Sequence, residues 1–449
     1  MNQNESNEPW LDEMPSDWTR SRIRNVATLS PGYSGYRPVP DETCTVVPME
    51  LLSENGEIDS SDHQRFEDIQ QGLTLFEQGD VLFAKITPCM ENGKGAFIKY
   101  LPTRYGFGST EFQVIRPAAH GIDGKFLYYA TFNPVYRAYA AENMTGAAGQ
   151  KRVSSRFLKD TRLFLPKVTE QERIAAYLDA SCAAIDSAVA AKRRQLEILD
   201  DLCKATVQRV LTRGLDDEPK LIPTRNVWMD QVPSGWSLVA LKRVCAIQTG
   251  LTLGKEYGGP LIERPYLRVA NVQDGHLDLE DVTTIEVPAT VAERVELRSG
   301  DVLMTEGGDL DKLGRGYLWN GEIEGCLHQN HIFAVRCFPH KLLPKFLAYL
   351  TASQYGRDYF EATGKRTTNL ASTNSTKVGL FPLPLPKIEE QERLLEYLDD
   401  QIRRIRSVMS VHERQIEILL DYRKSLIHEC VTGVQRIAET KSKHEETYA

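Results

Sequence analysis

Two long stretches of the chain carry apolar residues at steps of three, four and seven. In the first they fall at Ile174, Leu178, Ile185, Val189, Leu196, Leu199, Cys203, Val207 and Val210. In the second they fall at Leu398, Ile402, Ile405, Met409, Ile416, Leu419, Leu426 and Cys430. Such steps keep one side of an α-helix apolar, as in the seam of a coiled coil. No proline or glycine interrupts 169–213 or 389–432. Thr169-x-x-Glu172 predicts a capping box at the first start, and Gly214 and Gly433 predict the two stops. More than forty residues would make rods roughly 60 Å long, at about 1.5 Å per residue.

The remaining pattern is shorter. Asp80–Ala84, Phe112–Ile115, Tyr266–Ala270, Asp301–Met304 and Ile332–Val335 are apolar runs of strand length. Turn signals separate them: Glu54-Asn-Gly56, Gln78-Gly-Asp80, Asp274-Gly275 and Gly307-Gly308. Short helices are predicted over Phe126–Ala141 and Lys345–Phe360. Each long helix is thus preceded by a mixed α/β, strand-rich globule.

The whole arrangement is written twice. Pro15-Ser-Asp-Trp18 recurs as Pro233-Ser-Gly-Trp236, and Gly79-Asp-Val-Leu82 as Gly300-Asp-Val-Leu303. Gly93-Lys-Gly95 recurs as Gly314-Arg-Gly316, and Phe126-Leu127 with Tyr129 as Phe346-Leu347 with Tyr349. Leu165-Pro-Lys-Val-Thr-Glu-Gln-Glu-Arg173 recurs as Leu385-Pro-Lys-Ile-Glu-Glu-Gln-Glu-Arg393. Arg194-Gln195 and Glu197-Ile-Leu199 recur as Arg414-Gln415 and Glu417-Ile-Leu419. These landmarks keep one order and nearly one offset, which indicates a tandem duplication rather than a solenoid of many units.

The expected fold is α+β: two pseudo-two-fold related mixed α/β domains joined by two long helices that form an antiparallel coiled coil. The orientation follows from reach. Eighteen residues separate Arg213 from Val232. Fully extended they span about 60 Å, which leaves a parallel pair no slack, whereas an antiparallel pair needs only a short link. A globule at each end follows. The expected boundaries are a disordered N-terminus (1–13), first domain (14–168), first long helix (169–213), linker (214–231), second domain (232–388), second long helix (389–433) and disordered tail (434–449).

Composition narrows the function. Hydrophobic residues make up 41% and charged residues 26%, ordinary for a globular protein. No run of eighteen apolar residues suggests a membrane span. Met1–Trp10 lacks the basic and apolar regions of a secretory signal, so a cytoplasmic location is expected. Eight cysteines lie scattered without a Cys-x-x-Cys pair, which points to reduced thiols. The net charge of −8 argues mildly against a free-standing nucleic-acid binder, although a local basic face would suffice.

Catalytic signatures are missing. No phosphate-binding Gly-x-x-x-x-Gly-Lys-Ser/Thr motif occurs; the Gly-Lys pairs at 93–94, 254–255 and 364–365 lack the earlier glycine. Asn133-Pro-Val-Tyr136 approaches the Asn-Pro-Pro-Tyr motif of adenine methyltransferases, but lacks its second proline and a glycine-rich cofactor loop. Cys326-x-His328-x-x-His331 has poor zinc spacing and no counterpart in the first copy.

The ordered set resembles the specificity subunit of type I restriction-modification enzymes. The carrying residues are the Pro-Ser-x-Trp pair, the Gly-Asp-Val-Leu strand, Gly108-Ser-Thr-Glu-Phe112 with His328-Gln-Asn-His-Ile-Phe333, and the Leu-Pro-Lys-x-x-Glu-Gln-Glu-Arg helix start. The family often has Leu-Pro-Pro where both copies here have Leu-Pro-Lys. The resemblance implies that each globule is a target-recognition domain reading one half of a split double-stranded DNA site. It implies that the helices set the unread gap and dock two methyltransferase subunits. Those partners would carry S-adenosylmethionine, and restriction/translocase subunits would bring ATP and Mg. No catalytic site or cofactor is expected in this chain.

Polar and basic loop residues are the candidate DNA contacts. In the first copy these are Lys85, Lys94, Arg104, Ser109, Thr110, Gln150, Lys151 and Arg152. In the second they are Lys255, Lys312, Arg315, His328, Gln329, Asn330, Lys365, Arg366 and Asn369. Arg and Lys suit guanine and phosphate, while Asn and Gln suit adenine. A glycine-led basic loop recurs at Gly149-Gln-Lys-Arg152 and Gly364-Lys-Arg-Thr-Thr-Asn369. Solvated surface positions are the plain alternative for each, and Ser109 and Thr110 could instead serve the fold. For the chain as a whole, the competing readings are a coiled-coil scaffold with two protein-binding heads, which the acidic charge favours, and a restriction enzyme in its own right, which the missing motifs oppose.

Overall fold

The computed structural model describes residues 15–147, 149–273, 275–308, 313–314, 316–366 and 371–438. The expectations for 1–13 and for 439–449 lie outside these residues. The described chain divides into two units. Unit 1 holds residues up to Arg193 and from Glu413 onward, and unit 2 holds Arg194–His412.

In unit 1 the order is β1 (Thr19–Arg22), α1 (Ile23–Val26), β2 (Ala27–Leu29), β3 (Thr43–Val47), β4 (His63–Arg65), β5 (Thr74–Phe76), β6 (Val81–Ala84), β7 (Gly95–Phe97), β8 (Gly106–Gly108) and β9 (Phe112–Pro117). Then come α2 (Gly124–Phe132), α3 (Pro134–Glu142), α4 (Ser155–Asp160), β10 (Arg162–Leu165) and α5 (Val168–Arg213). One four-stranded sheet runs β2-β9-β6-β7 and a second runs β4-β3-β8-β5, with β1 paired to β10. Side chains on a strand alternate between faces. Accordingly Val81 and Phe83 of β6 enter one core with α2, α3 and the long helices. Leu82 enters a second core shared with Val47, Phe76 and Val114. Burial on both faces explains why this strand reads as a continuous apolar run rather than an alternating one.

Unit 2 repeats the plan: β11 (Leu221–Asn226), β12 (Met229–Pro233), β13 (Ser237–Ala240), β14 (Cys245–Thr249), β15 (Ile262–Leu267), β16 (Thr283–Val287), α6 (Ala289–Val295), β17 (Asp301–Thr305), β18 (Gly307–Gly308) and β19 (Gly316–Leu318). It continues with β20 (Leu327–His328), β21 (Ile332–Cys337), α7 (Pro344–Ala352), α8 (Gln354–Thr363), β22 (Lys365–Arg366), β23 (Ala371–Ser372), α9 (Ser375–Leu380), β24 (Pro382–Leu385) and α10 (Ile388–Thr432). Sheet β14-β21-β17-β19 matches β2-β9-β6-β7 of unit 1. Again Val302 and Met304 face one core and Leu303 the other.

The repeated motifs have repeated physical jobs. Gly79 and Gly300 adopt φ +90° and +93°, the left-handed region that glycine enters without strain. The following Asp80 is buried and bonds Arg116 through both oxygens at 2.7 and 2.8 Å. Asp301 does the same with Arg336 at 2.7 and 2.6 Å. Gln171 is fully buried. It donates to Pro166 O at 2.8 Å and Gly121 O at 3.2 Å, and it accepts from Asp123 N at 2.8 Å. Gln391 donates to Pro386 O and Lys341 O at 2.9 Å and accepts from Leu343 N at 2.9 Å. Each glutamine therefore ties the start of its long helix to the loop preceding α2 or α7.

The long helices pair within each unit. In unit 1 the start of α5 (Ile174, Leu178, Cys182, Ile185, Val189) is buried with the end of α10 (Leu426, Ile427, Cys430, Val431). Arg423 reaches Asp186 at 3.3 Å. In unit 2 the end of α5 (Val210, Leu211) is buried with the start of α10 (Leu394, Leu395, Leu398, Ile402). Start meets end in both, so the pairing is antiparallel. By length and composition α5 could also cross a membrane, which the sequence reading did not anticipate. Its apolar seam is instead spent on α10.

Several expectations need correction. Each predicted short helix is two helices. Pro134 starts α3, with Asn133 Oδ1 accepting from Val135 N at 3.0 Å; Ser353 caps α8. The second-copy strand expected over Tyr266–Ala270 ends at Leu267, and a single 3-10 turn covers Val269–Asn271. Thr169 lies inside α5, which begins at Val168, so it is not the cap. The predicted linker 214–231 carries β11 and most of β12, whose Met229 and Val232 enter the unit 2 core. The predicted tail starts ordered: Arg436 bonds Asp17 at 2.8 Å and Glu170 at 3.0 Å and covers the Trp18 ring, while Ile437 packs on the core.

Candidate nucleic-acid interface

Three segments converge in unit 1: residues 85–87 after β6, the 109–111 turn before β9, and 150–153 before α4. Lys85 N donates to Glu111 O at 3.0 Å, Val153 N to Lys85 O at 2.8 Å, and Thr87 N to Lys151 O at 3.0 Å. Unit 2 builds the same junction. Glu306 N donates to His331 O at 2.8 Å, and Thr373 N donates to Glu306 O at 2.7 Å. Backbone bonds carry both junctions, so side chains are free to differ.

They do differ. In unit 1 Arg152 grips Glu111 with Nη2–Oε1 at 2.7 Å and Nε–Oε2 at 2.9 Å. That hydrogen-bonded guanidinium holds the Glu111 carboxyl below its usual range. In unit 2 His331 Nδ1 meets Glu306 Oε2 at 2.5 Å. Glu306 occupies the place of Lys85, so the sign of charge on that wall is reversed.

Beside the unit 1 junction lies a cleft of about 490 Å³ lined by β3, the 62–73 segment and the Gly108–Thr110 turn. Its floor is the buried Val46, Val47 and Gly108. Lys85 Nζ donates to Thr110 O at 2.7 Å and Lys94 Nζ to Met49 O at 3.0 Å, so two cations are moored to residues of its walls. The lining itself contains Glu50, Asp62 and Asp68 but no Lys or Arg.

The structure therefore gathers Lys85, Lys94, Ser109, Thr110, Gln150, Lys151 and Arg152 of the sequence candidates. Gln150 and Lys151 are exposed. Ser109 also serves the turn, its Oγ accepting from Glu111 N at 3.2 Å. Arg104 is not part of the junction; it lies over the Tyr36 and Tyr105 rings and donates to Tyr105 OH at 3.1 Å. Sequence reasoning missed Gln64, Gln70 and Gln71 in the cleft lining. Their one signal was the Gln70-Gln71-Gly72 turn, where Gly72 takes φ +94°.

In unit 2 Gln329 and Asn330 are half-buried beside the junction; Gln329 Oε1 accepts from Val269 N at 3.1 Å. His328 must be withdrawn as a DNA contact. It is fully buried, with Nδ1 on Ile332 O at 2.9 Å, and burial lowers its pKa to about 4. The imidazole is neutral and inaccessible. His331 of the same triplet is exposed on Glu306, so the two histidines face different surroundings. Lys255 is exposed over the Tyr257 ring. Lys365 is exposed in β22, which joins β23 and β18 at the junction. Lys312, Arg315 and Asn369, and the Arg366 side chain, lie outside the described residues.

Among the described residues, no group of three or more His, Cys, Asp or Glu side chains could hold a metal ion. Asn133 of the methyltransferase-like tetrapeptide is buried as a helix cap and meets His428 Nδ1 at 3.0 Å.

Residues 15–197 match the family model for the type I restriction modification DNA specificity domain. Over 167 residues the chain is 34% identical to the EcoAI specificity subunit of Escherichia coli, covering 36% of this chain and 27% of that one. Over 165 residues it is 32% identical to the Escherichia coli EcoEI specificity subunit, again covering 36% and 27%. The matched part thus spans under a third of these relatives' length. The StySPI specificity subunit of Salmonella potsdam is 22% identical over 409 residues, 86% of this chain and 82% of that one. In fold, the chain resembles a solved chain from work on complex assembly and conformational transition of the type I R-M system, at TM-score 0.72, 19% identity and coverage of 94% and 100%. It also resembles the HsdS subunit of Thermoanaerobacter tengcongensis at TM-score 0.58, 18% identity and coverage of 96% and 100%. Residues 15–197 thus match a type I restriction modification DNA specificity domain, and the chain is similar in sequence and in fold to specificity subunits of type I restriction-modification systems.

Proposed function

We propose that this chain reads a bipartite double-stranded DNA target, each recognition domain contacting one half, and that it performs no chemistry itself. The observation that carries this reading is the duplicated junction: one backbone frame, built twice, presenting different side chains. A frame fixed by main-chain bonds suits a reader whose position must stay constant while its sequence preference differs between halves. Phosphate contacts from residues such as Lys85 and Lys151 would set register, and side chains at base edges would set sequence. The antiparallel helix pair would set the unread gap and dock two methyltransferase subunits. S-adenosylmethionine would reside on those subunits, with ATP and Mg on restriction/translocase subunits, all in the cytoplasm.

The test is a map of methylated adenines in DNA from cells expressing the chain with its methyltransferase partner. A split motif is expected, and replacing residues 14–168 by those of another specificity subunit should change one half of it. An unaltered motif after replacement would sink the reading and favour a protein-binding scaffold. Cleavage by the isolated chain would restore the enzyme reading.

A further inference from the structure

The lining of the unit 1 cleft differs in charge from Lys85 and Lys94, the two lysines moored to its walls. Its exposed rim is made of Glu50, Asp62, Asp68, Gln70, Gln71 and Thr110. Two of the carboxylates have local partners: Asp62 accepts from Gln64 Nε2 at 3.3 Å and Asp68 from Arg65 Nε at 3.1 Å. A phosphate placed there would face like charges at short range. What the rim offers is hydrogen-bond acceptors, together with two exposed amides that can both accept and donate. Lys85 and Lys94 are moored to Thr110 and Met49, residues of the same lining. They supply positive charge beside the cleft.

Resting on the DNA-reading function above, we propose that this rim reads an amino-bearing base edge, adenine or cytosine, within the half-site of the first domain. The exocyclic amine is the donor that both bases show in the major groove. Glutamine pairs with adenine N6 and N7, and a glutamate accepts from cytosine N4. Gln70 and Gln71 sit on a glycine turn, which lets the backbone present two adjacent side chains outward. The carboxylates discriminate by rejection as well, because the acceptor-rich edge of guanine would face them unpaired. Unit 2 places Gln329 and Asn330 at the positions of Ser109 and Thr110, so its reading differs.

The experiment uses the full chain in complex with its methyltransferase subunit and compares methylation motifs genome-wide. Gln70→Ala with Gln71→Ala, and separately Glu50→Gln, should relax the motif at one adenine or cytosine of one half. Preference for the correct base should fall roughly tenfold, and the other half should stay unchanged. Lys85→Ala should weaken methylation at all sites alike, without altering the motif. Glu50, Gln70 and Gln71 are exposed and Lys85 is half-buried, and melting curves verify that each variant folds. An unchanged motif in both rim variants overturns the inference; if replacement of residues 14–168 still changes the motif, the DNA-reading function survives alone. Uniform loss of methylation in a rim variant with native melting, or loss of partner binding by a rim variant without a motif change, also overturns it.

Discussion

His328 carries a pH signature. Its pKa falls from 6.5 to about 4 on burial, against backbone hydrogen bonding to Ile332 and Gln329, and its Nε2 has no partner. Between those two values the unfolded chain binds the proton more readily than the folded one. Stability therefore declines as pH drops through that window and is fully present above about 6.5. The shift corresponds to about 3 kcal/mol at about 1.36 kcal/mol per pH unit. Urea unfolding of unit 2 should show the decline between pH 7 and 4, and His328→Asn should flatten it; a His328→Asn variant with an equal decline would refute the assignment. A motif scan alone took this histidine for a surface reader. Polar type and loop-like neighbours were visible, but its burial depends on strands distant in sequence.

At the scale of elements, Gln171 and Gln391 are the most informative side chains. Each satisfies two carbonyls and one amide, and its bond to the carbonyl of Pro166 or Pro386 is buried. Gln391→Leu would leave one buried carbonyl and two part-buried groups unmatched, at about 1–3 kcal/mol for the fully buried one and less for the others. A loss of about 3 kcal/mol after partial relaxation is expected in chemical denaturation, and a change below about 0.5 kcal/mol would discount the tie. The tail segment offers a gentler test. Arg436 holds the Asp17 carboxyl down to about 2, so Asp17→Asn should loosen residues 434–438 and expose them to protease without lowering the main melting transition. Helix periodicity, both stops at Gly214 and Gly433, and the paired strands were legible because short-range pattern dictates them. The break at Pro134 was also readable in principle, since proline favours the first helical turn. The matching break at Ser353 has no proline; there the serine side chain caps α8 by accepting from Gly356 N. The hairpin 221–233 looked like a linker because glycine, prolines and charged residues crowd 214–226, whereas its anchors, Met229 and Val232, lie beyond them.

For the molecule as a whole, unit 1 is discontinuous: its core needs the chain's last forty residues or so as well as its first part. A fragment ending at Gly214 would expose Ile174, Leu178, Cys182, Ile185 and Val189, all buried against α10 in the full chain. It should dimerise or aggregate in size-exclusion chromatography, and supplying residues 413–449 in trans should restore a defined species. A monodisperse fragment monomer would contradict this account. The sequence alone determined the duplication, the helical seams, the strand runs and the absence of readable catalytic motifs, because each rests on residue order over short distances. Tertiary structure decided which polar residues meet. It brought 85–87, 109–111 and 150–153 together, removed His328 from the surface and set Gln70 and Gln71 beside Thr110. Those juxtapositions depend on strand pairing between segments tens of residues apart, which no local pattern encodes.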